Sequence, residues 1–313
     1  MTIPPTYPQL LLIGGPTSSG KSALALALAQ RLNGAVINAD ALQLYREIPI
    51  LSGQPSLAER ALVPHYLYGA RGVAESASAA WWQEAAKDAI AKTQAVGHLP
   101  IVVGGTGLYL STLLDGISAM PEVAADTRQR VKDLLDQSGV GAVHAALAAI
   151  DPVAAGELKP RDQQRLCRAL EVVWQTGRSI RDWQGQKQGA WPGAIKTIAI
   201  LPPKADVYKK CQARFDTMMD MGALDEVRAI ESAGLGDHLT ALKAKGIPEL
   251  RAHLRGELSL AEAVRLAKLK TRQYAKRQFT WFTQQWQPDY VIGEMVTADN
   301  TSLLADGIGQ GLT

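Results

Sequence analysis

Short runs of apolar residues, each followed by glycine or a polar residue, recur along the chain. Gln9–Ile13, Ala35–Asn38 and Leu99–Val103 are runs of this kind. Continuous apolar runs of this length predict strands that are buried on both faces of a parallel sheet. Between the first two runs, leucines recur at every fourth position over Leu24–Leu32, which predicts an amphipathic helix that ends at Asn33-Gly34. The order strand, turn, helix, strand predicts a parallel α/β sheet.

From about Pro121 the pattern becomes helical, and no further strand is expected before Ile195–Leu201. Glycine at positions 139 and 141 is expected to break the first of these helices, and Gly177 to end the last. A strand pattern returns at Ile195–Leu201 and again at Tyr290–Ile292. The predicted helix N-caps in the helical stretch are Asp126, Asp151 (followed by Pro152) and Asp162.

These patterns predict an α/β fold, with a parallel sheet core flanked by helices and a helical insertion domain. The core is expected to comprise residues 1–118 and 191–313, and the insertion residues 119–190. Residues from Asp299 onward are mostly small and polar, so we expect this end of the chain to fray.

Composition is ordinary for a soluble globular protein, with 47% hydrophobic and 20% charged residues and a net charge of +3. The two cysteines, Cys167 and Cys211, form neither a disulfide framework nor a zinc spacing, which favours a reducing cytoplasm. Met1–Pro8 contains no basic residue, and the apolar run Leu10–Ile13 is too short for a signal peptide or a membrane span. We therefore expect a cytoplasmic protein without a membrane partner, and a monomer because no heptad repeat is present.

The glycine-bearing turn after the first predicted strand matches the phosphate-binding pattern G-x-x-x-x-G-K-[ST] completely. Backbone N–H groups of such a loop surround a phosphate, Lys21 supplies positive charge, and the Ser22 hydroxyl can ligate Mg²⁺. The core is thus expected to be P-loop NTPase-like, although the loop alone does not distinguish ATP from another diphosphate or triphosphate. The matching residues are Gly15, Pro16, Thr17, Ser18, Ser19, Gly20, Lys21 and Ser22.

Asp40 follows the second predicted strand, and Gly104–Tyr109 follows the strand over Leu99–Val103. Ligands gather at the carboxyl ends of strands in parallel sheets, so these two segments and the P-loop are expected to meet at one edge. A carboxylate beside a bound phosphate can serve as a Mg²⁺ ligand or as a general base. Asp40 could instead be only a helix cap.

Five segments, in order along the chain, resemble the tRNA dimethylallyltransferase family, also called tRNA isopentenyl transferases. The chain departs from that family's pattern at Ala41, where serine is common, in the loosely matching stretch Ile50–Pro55, and at Gly246-Ile247-Pro248, where Gly-Tyr-Arg is frequent. The five segments are Gly15–Ser22, Asn38–Arg46, Val103–Tyr109, Asp162–Glu171 and Lys276–Phe282.

The resemblance implies transfer of a dimethylallyl group from dimethylallyl diphosphate to N6 of adenosine 37, in tRNAs that read codons starting with U, with release of pyrophosphate. Asp40 resembles the general base of this reaction, and Thr106 a residue of the reaction channel, although Thr106 could be only a turn hydroxyl. Lys21, the loop N–H groups and Mg²⁺ on Ser22 would stabilise the departing pyrophosphate. Arg214 resembles an arginine that reaches the diphosphate, or else lies on a solvated helix face. The expected occupant of the loop is therefore the prenyl diphosphate, although the family is often described as ATP-binding.

The resemblance also implies a partner, the anticodon stem-loop of tRNA, because a base in a single-stranded loop can leave its stack at low cost. Leu166 could instead belong to the core of its own helix. The basic segment Arg265–Arg277 suits phosphate contact or a solvated helix face. Residues expected to meet the RNA are Asp40, Ala41, Leu42, Gln43, Gln164, Arg165, Leu166, Cys167, Arg168, Lys243, Lys245 and Gly246.

Two other functions fit a P-loop of this kind. One is a small-molecule transferase, either a nucleoside kinase or a prenyltransferase that uses free AMP. The helical insertion argues against it, because a free nucleotide needs no such platform. The other is a non-catalytic, nucleotide-dependent RNA-binding protein, in which Asp40 and Thr106 would have no task.

Overall fold

The computed structural model describes residues 9–185, 187–236 and 239–312, so the expectation for Met1–Pro8 lies outside the described residues. Contacts divide the chain into two compact units. Unit 1 comprises Met1–Leu114 and Trp191–Thr313, and unit 2 comprises Asp115–Ala190. The boundaries drawn from the sequence were at 118/119 and 190/191. Within the described residues, no helix combines the length and the apolar character that crossing a membrane requires.

The strands of both units are short. In chain order they are β1 (Leu10–Gly14), β2 (Gly34–Asn38), β3 (His65–Tyr66), β4 (Leu99–Gly104), β5 (Ile117–Ser118), β6 (Lys187–Gln188), β7 (Ile195–Ile200) and β8 (Tyr290–Ile292). The helices are α1 (Lys21–Arg31), α2 (Pro49–Ser52), α3 (Leu57–Leu62), α4 (Ala79–Ala95), α5 (Gly107–Asp115), α6 (Ala125–Ile150), α7 (Pro152–Glu157), α8 (Gln163–Thr176), α9 (Ile180–Gln184), α10 (Lys204–Asp220), α11 (Ala223–Ser232), α12 (Ile247–Leu254), α13 (Leu260–Gln284) and α14 (Thr301–Leu312). A short 3₁₀ turn, Ala241–Lys243, precedes α12.

Unit 1 is built on a six-stranded sheet with the order β3-β2-β4-β1-β7-β8, in which every pairing is parallel. The prediction of a parallel α/β sheet is confirmed, and each predicted strand lies within one residue of the observed one. Strand β3 was not predicted, because two residues are too few to form a recognisable pattern.

Side chains of the central strands alternate between the two faces of the sheet, as strand geometry requires. Leu11 and Ile13 enter one core with helices α1 and α14. Leu10 and Leu12 enter the other core, with α4, α5 and the end of α13. Burial on both faces explains why these strands read as continuous apolar runs.

The C-terminal segment is helical, so the expectation that it frays is wrong. Ala305 is fully buried, and Leu304 and Ile308 pack against the same core as α1. Arg31 at the end of α1 donates to Asp306 Oδ1 and to Ser302 Oγ, at 2.6 Å each. Packing of an apolar stripe outweighs the weak intrinsic preference of this small, polar segment.

Unit 2 is mainly helical, and the predicted caps Asp151 and Asp162 are confirmed. Their side chains accept the N–H groups of Ala154 and Arg165, at 3.1 and 3.3 Å. The prediction for Asp126 is wrong, because α6 begins one residue earlier and Asp126 lies within its first turn.

Unit 2 also contains a helix break and a pair of short strands. Gly139 adopts φ 76° and ψ 176° within α6, as expected for a helix break. The expectation that this stretch lacks strands is wrong, because β5 and β6 form an antiparallel pair with Ile117 opposite Gln188. Each of these strands has only two residues, too short to recognise from a pattern.

Candidate active site

Three sequence-predicted segments meet at the carboxyl edge of the unit 1 sheet. The P-loop follows β1, Asp40 follows β2, and Thr106 follows β4, which lies between β2 and β1. The Thr106 N–H donates to Ala39 O at 3.2 Å, and the Ala41 N–H donates to Thr106 Oγ1 at 3.0 Å. The turn that carries Asp40 is thus joined directly to the loop after β4.

The P-loop has the shape of an anion cradle. Ser18 and Gly20 both have positive φ, 62° and 90°, and a Cβ at Gly20 would collide with Val296. Positive φ in a serine is strained and is typical of functional loops. The Ser19 hydroxyl is fully buried and has no hydrogen-bond partner among the residues that the structure describes. A bound anion would satisfy such a donor.

Lys21 begins helix α1 and is buried beside the cradle. Its Nζ donates to Pro16 O at 3.3 Å. Burial lowers the pKa of Lys21 to about 8, an effect that the negative charge of Asp40 opposes. Since the first turn of α1 contains no acidic residue, its positive helix end is also available to an anion.

Asp40 is held rigidly by its own turn. Its Oδ1 accepts the Leu42 N–H at 3.0 Å, and its N–H donates to Asn38 Oδ1 at 2.8 Å. Asn38 in turn donates to the carbonyls of Asp40 and Leu67, at 3.0 Å each. The helix-cap alternative is wrong, because the next helix starts only at Pro49 and its cap position is Ile48. The carboxyl group therefore has no helix to cap.

The Thr106 hydroxyl lies between the Asp40 turn and the phenol of Tyr274. Burial, and then the charge of Asp40, raise the pKa of Tyr274, while a hydrogen bond with Thr106 lowers it. Thr106 is therefore both a turn hydroxyl and a neighbour of the candidate base, so its two interpretations are compatible.

Arg214 reaches the site from α10. Its guanidinium donates to Gly53 O at 3.2 Å, and burial lowers its pKa although Cys211 and Asp40 favour the charged form. The alternative of a solvated helix face is wrong for this residue. Gln43 donates to the same Gly53 carbonyl at 2.9 Å and to Ser52 O at 3.2 Å.

Three cavities of unit 1 follow one another through this region. The largest, of about 450 Å³, is lined by Lys21 and Ser22 of the P-loop. A small cavity of about 60 Å³, lined by Asp40 and Tyr274, shares Ser18, Arg214 and Met218 with the first. Lys245 joins it to a third cavity of about 230 Å³, whose lining includes Lys243, Lys270 and Arg277. Asp40 thus lies between the anion cradle and a basic surface.

The RNA-contact predictions within unit 1 have different outcomes. Ala41 and Leu42 are partly exposed, Lys243 is exposed, and Lys245 lies with its Nζ 5.7 Å from the centre of the Tyr274 ring. Gln43 is only 9% exposed and its amide nitrogen is bound to backbone carbonyls. The Gln43 side chain therefore holds the Ser52–Gly53 loop through its amide nitrogen, and its contact with RNA stays a prediction.

The remaining predicted RNA contacts of unit 1 lie at the start of α12 and in the basic segment Arg265–Arg277. Gly246 is buried, its N–H donates to Glu249 Oε2 at 3.1 Å, and its carbonyl accepts the Leu250 N–H at 2.9 Å. Its contact with RNA stays a prediction. Within Arg265–Arg277, Arg265 is paired with Glu262 and Lys268 with Asp216, at 2.7 and 2.6 Å. The segment therefore combines a solvated, internally paired face with residues that line the basic cavity.

In unit 2, helix α8 carries the other predicted RNA contacts. Gln164 and Arg165 are exposed, and Cys167 and Arg168 are partly exposed. Leu166 is fully buried among the apolar side chains of this unit. The core interpretation of Leu166 is therefore confirmed, and its contact with RNA stays a prediction.

Gln278 was not among the site residues predicted from the sequence, although it lies within the Lys276–Phe282 segment of the resemblance. Its Oε1 accepts the Thr17 N–H at 2.8 Å, and its Nε2 donates to Gly105 O at 2.9 Å. Both partners are more than 170 positions away along the chain. The motif alone indicates that the residue matters, but the bonds are visible only in the fold.

Comparison with known proteins gives this site a family. A model of the IPP transferase family matches residues 43–285. A tRNA dimethylallyltransferase of Rhodospirillum rubrum is 46% identical over 305 residues, which cover 96% of this chain and 94% of the relative. The chain belongs to the IPP transferase family. Another relative in Rhodopseudomonas palustris, also a tRNA dimethylallyltransferase, is 48% identical over 284 residues, which cover 90% of this chain and 88% of that protein.

Solved structures of IPP transferases share the fold. A full-length tRNA isopentenylpyrophosphate transferase of Bacillus halodurans has a TM-score of 0.69 and 31% identity, covering 97% of this chain and 96% of that one. A eukaryotic dimethylallyltransferase acting on tRNA has a TM-score of 0.71 and 27% identity, covering 87% of this chain and 69% of that one. The predicted P-loop NTPase-like core and the predicted family are both confirmed.

Proposed function

We propose that this chain is a tRNA dimethylallyltransferase. It transfers the dimethylallyl group of dimethylallyl diphosphate to N6 of adenosine 37, in tRNAs that read codons starting with U, and releases pyrophosphate. The main support for the proposal is that the P-loop cavity and the Asp40 cavity are adjacent. Both are lined by Ser18, Arg214 and Met218. A donor whose diphosphate lies on the loop can therefore present its allylic carbon toward the carboxylate.

At the donor end, charge accumulates on the diphosphate as the allylic C–O bond breaks. The P-loop N–H groups, Lys21 and Arg214 are placed to stabilise this charge in a partly buried site, where such interactions are strong. Ser22 lines the same cavity and is exposed to it, so its hydroxyl together with phosphate oxygens would suit Mg²⁺, which typically takes few protein ligands. A bound Mg²⁺ supplies further positive charge to the leaving group.

At the acceptor end, the exocyclic amine of adenosine is a poor nucleophile because its lone pair is delocalised into the ring. As the N6–C bond forms, a proton leaves N6, and we assign Asp40 to accept it. A positioned base of this kind contributes about 10²–10⁴ in rate. The Thr106 hydroxyl accepts the Ala41 N–H, and it can also donate its proton to the bridging oxygen or accept an N–H of N6.

The RNA would approach from the basic cavity. Lys243, Lys245, Lys270 and Arg277 line it, and among the described residues of its lining Glu249 is the single acidic one. Such a surface suits the phosphates of the anticodon stem-loop, while adenosine 37 is extruded toward Asp40. We further propose that the protein acts as a monomer in the cytoplasm, the location expected for a tRNA-modifying enzyme.

The direct test is a transfer assay. The protein is incubated with Mg²⁺, labelled dimethylallyl diphosphate and unmodified tRNA that carries adenosine at positions 36 and 37. We expect label on N6 of adenosine 37 and none on a tRNA with guanosine at position 37. Free AMP is offered in parallel, and its labelling at an equal or higher rate would point to a small-molecule prenyltransferase instead. Absence of label on RNA would falsify the proposal.

A further inference from the structure

Gln278 connects the two loops that the proposed reaction must keep at a fixed distance. The residue lies on α13 and is only 5% exposed. Both polar atoms of its side-chain amide are hydrogen-bonded to backbone atoms. One bond reaches Thr17 in the P-loop, and the other reaches Gly105 in the loop after β4. The two loops follow the neighbouring strands β1 and β4, whose parallel pairing ends at Gly14 and Gly104.

The local structure is built around this side chain. A Cβ at Gly105 would collide with Gln278 Nε2, so glycine at this position lets the amide lie directly against the loop backbone. On the same helix, Phe282 and nearby Trp286 are buried against the sheet, which fixes the position of α13. The Thr17 N–H is directed to Gln278 and is therefore withheld from a phosphate on the loop.

The contacts continue from Gln278 to the candidate base. Gly105 precedes Thr106, whose hydroxyl accepts the N–H of Ala41, the neighbour of Asp40. We propose that Gln278 is a positioning residue that sets the spacing between the pyrophosphate cradle and Asp40, an inference that rests on the proposed function. A misplacement of about 1 Å between reacting groups can lower a rate by about 10²-fold.

Two substitutions separate positioning from packing. Gln278→Met keeps the length of the side chain and removes both bonds, so we expect kcat to fall by about 10- to 100-fold. Gln278→Glu keeps an acceptor for the Thr17 N–H, but when ionised it has no proton for Gly105 O. The matched control is Gln83, which is 2% exposed and donates to Thr112 O at 2.6 Å away from the P-loop. For Gln83→Met and Gln83→Glu we expect a loss of thermal stability, with kcat within about twofold of wild type.

The pH dependence of Gln278→Glu is a readout that a purely structural role would not change. Burial raises the pKa of a carboxyl group, so the new side chain at position 278 gains a proton as the pH falls. The protonated form donates to Gly105 O and accepts from Thr17, as the amide does. We therefore expect the ratio of variant to wild-type kcat to rise by about tenfold between pH 8.5 and pH 6, since taking the ratio removes any pH effect that the two proteins share.

The outcomes distinguish this inference from the proposed function. If wild-type protein labels no RNA, the proposed function fails, and binding of pyrophosphate measured by calorimetry still tests the residue. There we expect Gln278→Met to weaken pyrophosphate binding by about tenfold relative to Gln83→Met, because the turn at Thr17 is no longer held. If Gln278→Met does not fold, the pH ratio of Gln278→Glu decides. The inference is overturned by a pH-independent ratio, or by Gln278→Met with kcat and pyrophosphate affinity within twofold of wild type.

Discussion

The sheet edge of unit 1 and helix α8 of unit 2 hold their candidate functional residues in opposite ways. Asp40, Lys21 and Gln278 are at most 9% exposed, and each is bonded to backbone atoms. On α8, Gln164 and Arg165 are exposed, and Arg165 pairs with Asp162 three positions earlier, at 3.5 Å. Bond-making chemistry needs fixed distances, whereas phosphate contact tolerates mobile side chains, so the contrast fits the proposed division between catalysis at the sheet edge and RNA attachment on α8.

A glycine at the sheet edge of unit 1 and two glycines in the helices of unit 2 show the same contrast. A Cβ at Gly104 would collide with the backbone of Ala39, directly before Asp40. A Cβ at Gly141 or Gly156 in unit 2 would meet nothing within 4 Å. Close backbone approach thus fixes the turn before Asp40, whereas these helical glycines of unit 2 have open space around them. In unit 2, close backbone approach occurs at Gly116, beside the β5–β6 pair, where a Cβ would collide with Gln188.

Asp40→Asn tests whether the buried carboxylate at the sheet edge takes part in the chemical step. The amide keeps the size of the side chain but cannot take a proton, so we expect kcat to fall by about 10²–10⁴ while donor and tRNA still bind. Steady-state kinetics and filter binding measure the two effects. Asp126→Asn, on an exposed position of unit 2, is the control and should keep wild-type kcat. Wild-type turnover in Asp40→Asn would remove Asp40 from the mechanism.

Gly104→Ala and Gly156→Ala are a matched pair for backbone packing. The first forces apart the loops after β4 and β2, so we expect a loss of about 1–3 kcal/mol in the free energy of unfolding together with lower kcat. The second lies within helix α7 with open space around it, and alanine should stabilise it by about 0.5–1 kcal/mol. Urea unfolding followed by circular dichroism measures both. Equal effects in the two variants would contradict the contrast.

The pH dependence of donor capture tests the buried lysine. Burial lowers the pKa of Lys21 to about 8, so the free enzyme loses this positive charge as the pH rises through that value. We expect kcat/KM for dimethylallyl diphosphate to fall above pH 8, approaching tenfold per pH unit, because this parameter reports the free enzyme. In Lys21→Arg the guanidinium stays charged and the fall near pH 8 should disappear, at a lower overall rate. A fall that persists unchanged in this variant would assign it to another group.

Arg165, the exposed arginine of α8, should give the smallest effect. For Arg165→Ala we expect a rise of about two- to fivefold in the KM for tRNA, a weaker salt dependence of binding and no change in kcat, as for a phosphate contact. Unfolding should change by less than about 0.5 kcal/mol. Lys132→Ala, another exposed and ion-paired position of unit 2, is the control. A large fall in kcat for Arg165→Ala would contradict the division between chemistry and attachment.

Most of the unit 1 sheet could be predicted from the sequence, because buried parallel strands leave continuous apolar runs that end in glycine. Strands β3, β5 and β6 could not be predicted, since a strand of two residues is too short to show a pattern of apolar and polar positions. Helix α14 was missed for another reason. Its composition is unfavourable for a helix, and its stability comes from packing of Leu304, Ala305 and Ile308, which only the fold reveals.

The candidate site divides in the same way. The P-loop and Asp40 are recognisable because each follows a strand, and strand ends meet at one edge. The burial of Gln43 could not be predicted, and that of Leu166 was only one of two interpretations. Motif positions do not show which side chains face the interior. The bonds of Gln278 join residues far apart in the chain, so a motif indicates the residue but not its partners.

The most direct test of the account is a structure of the protein with Mg²⁺ and a non-hydrolysable dimethylallyl diphosphate analogue. We predict the diphosphate on the P-loop, in contact with Lys21 and Arg214, and the allylic carbon directed into the cavity that Asp40 lines. A diphosphate bound elsewhere, or an allylic carbon directed away from Asp40, would contradict the arrangement on which the proposed reaction depends.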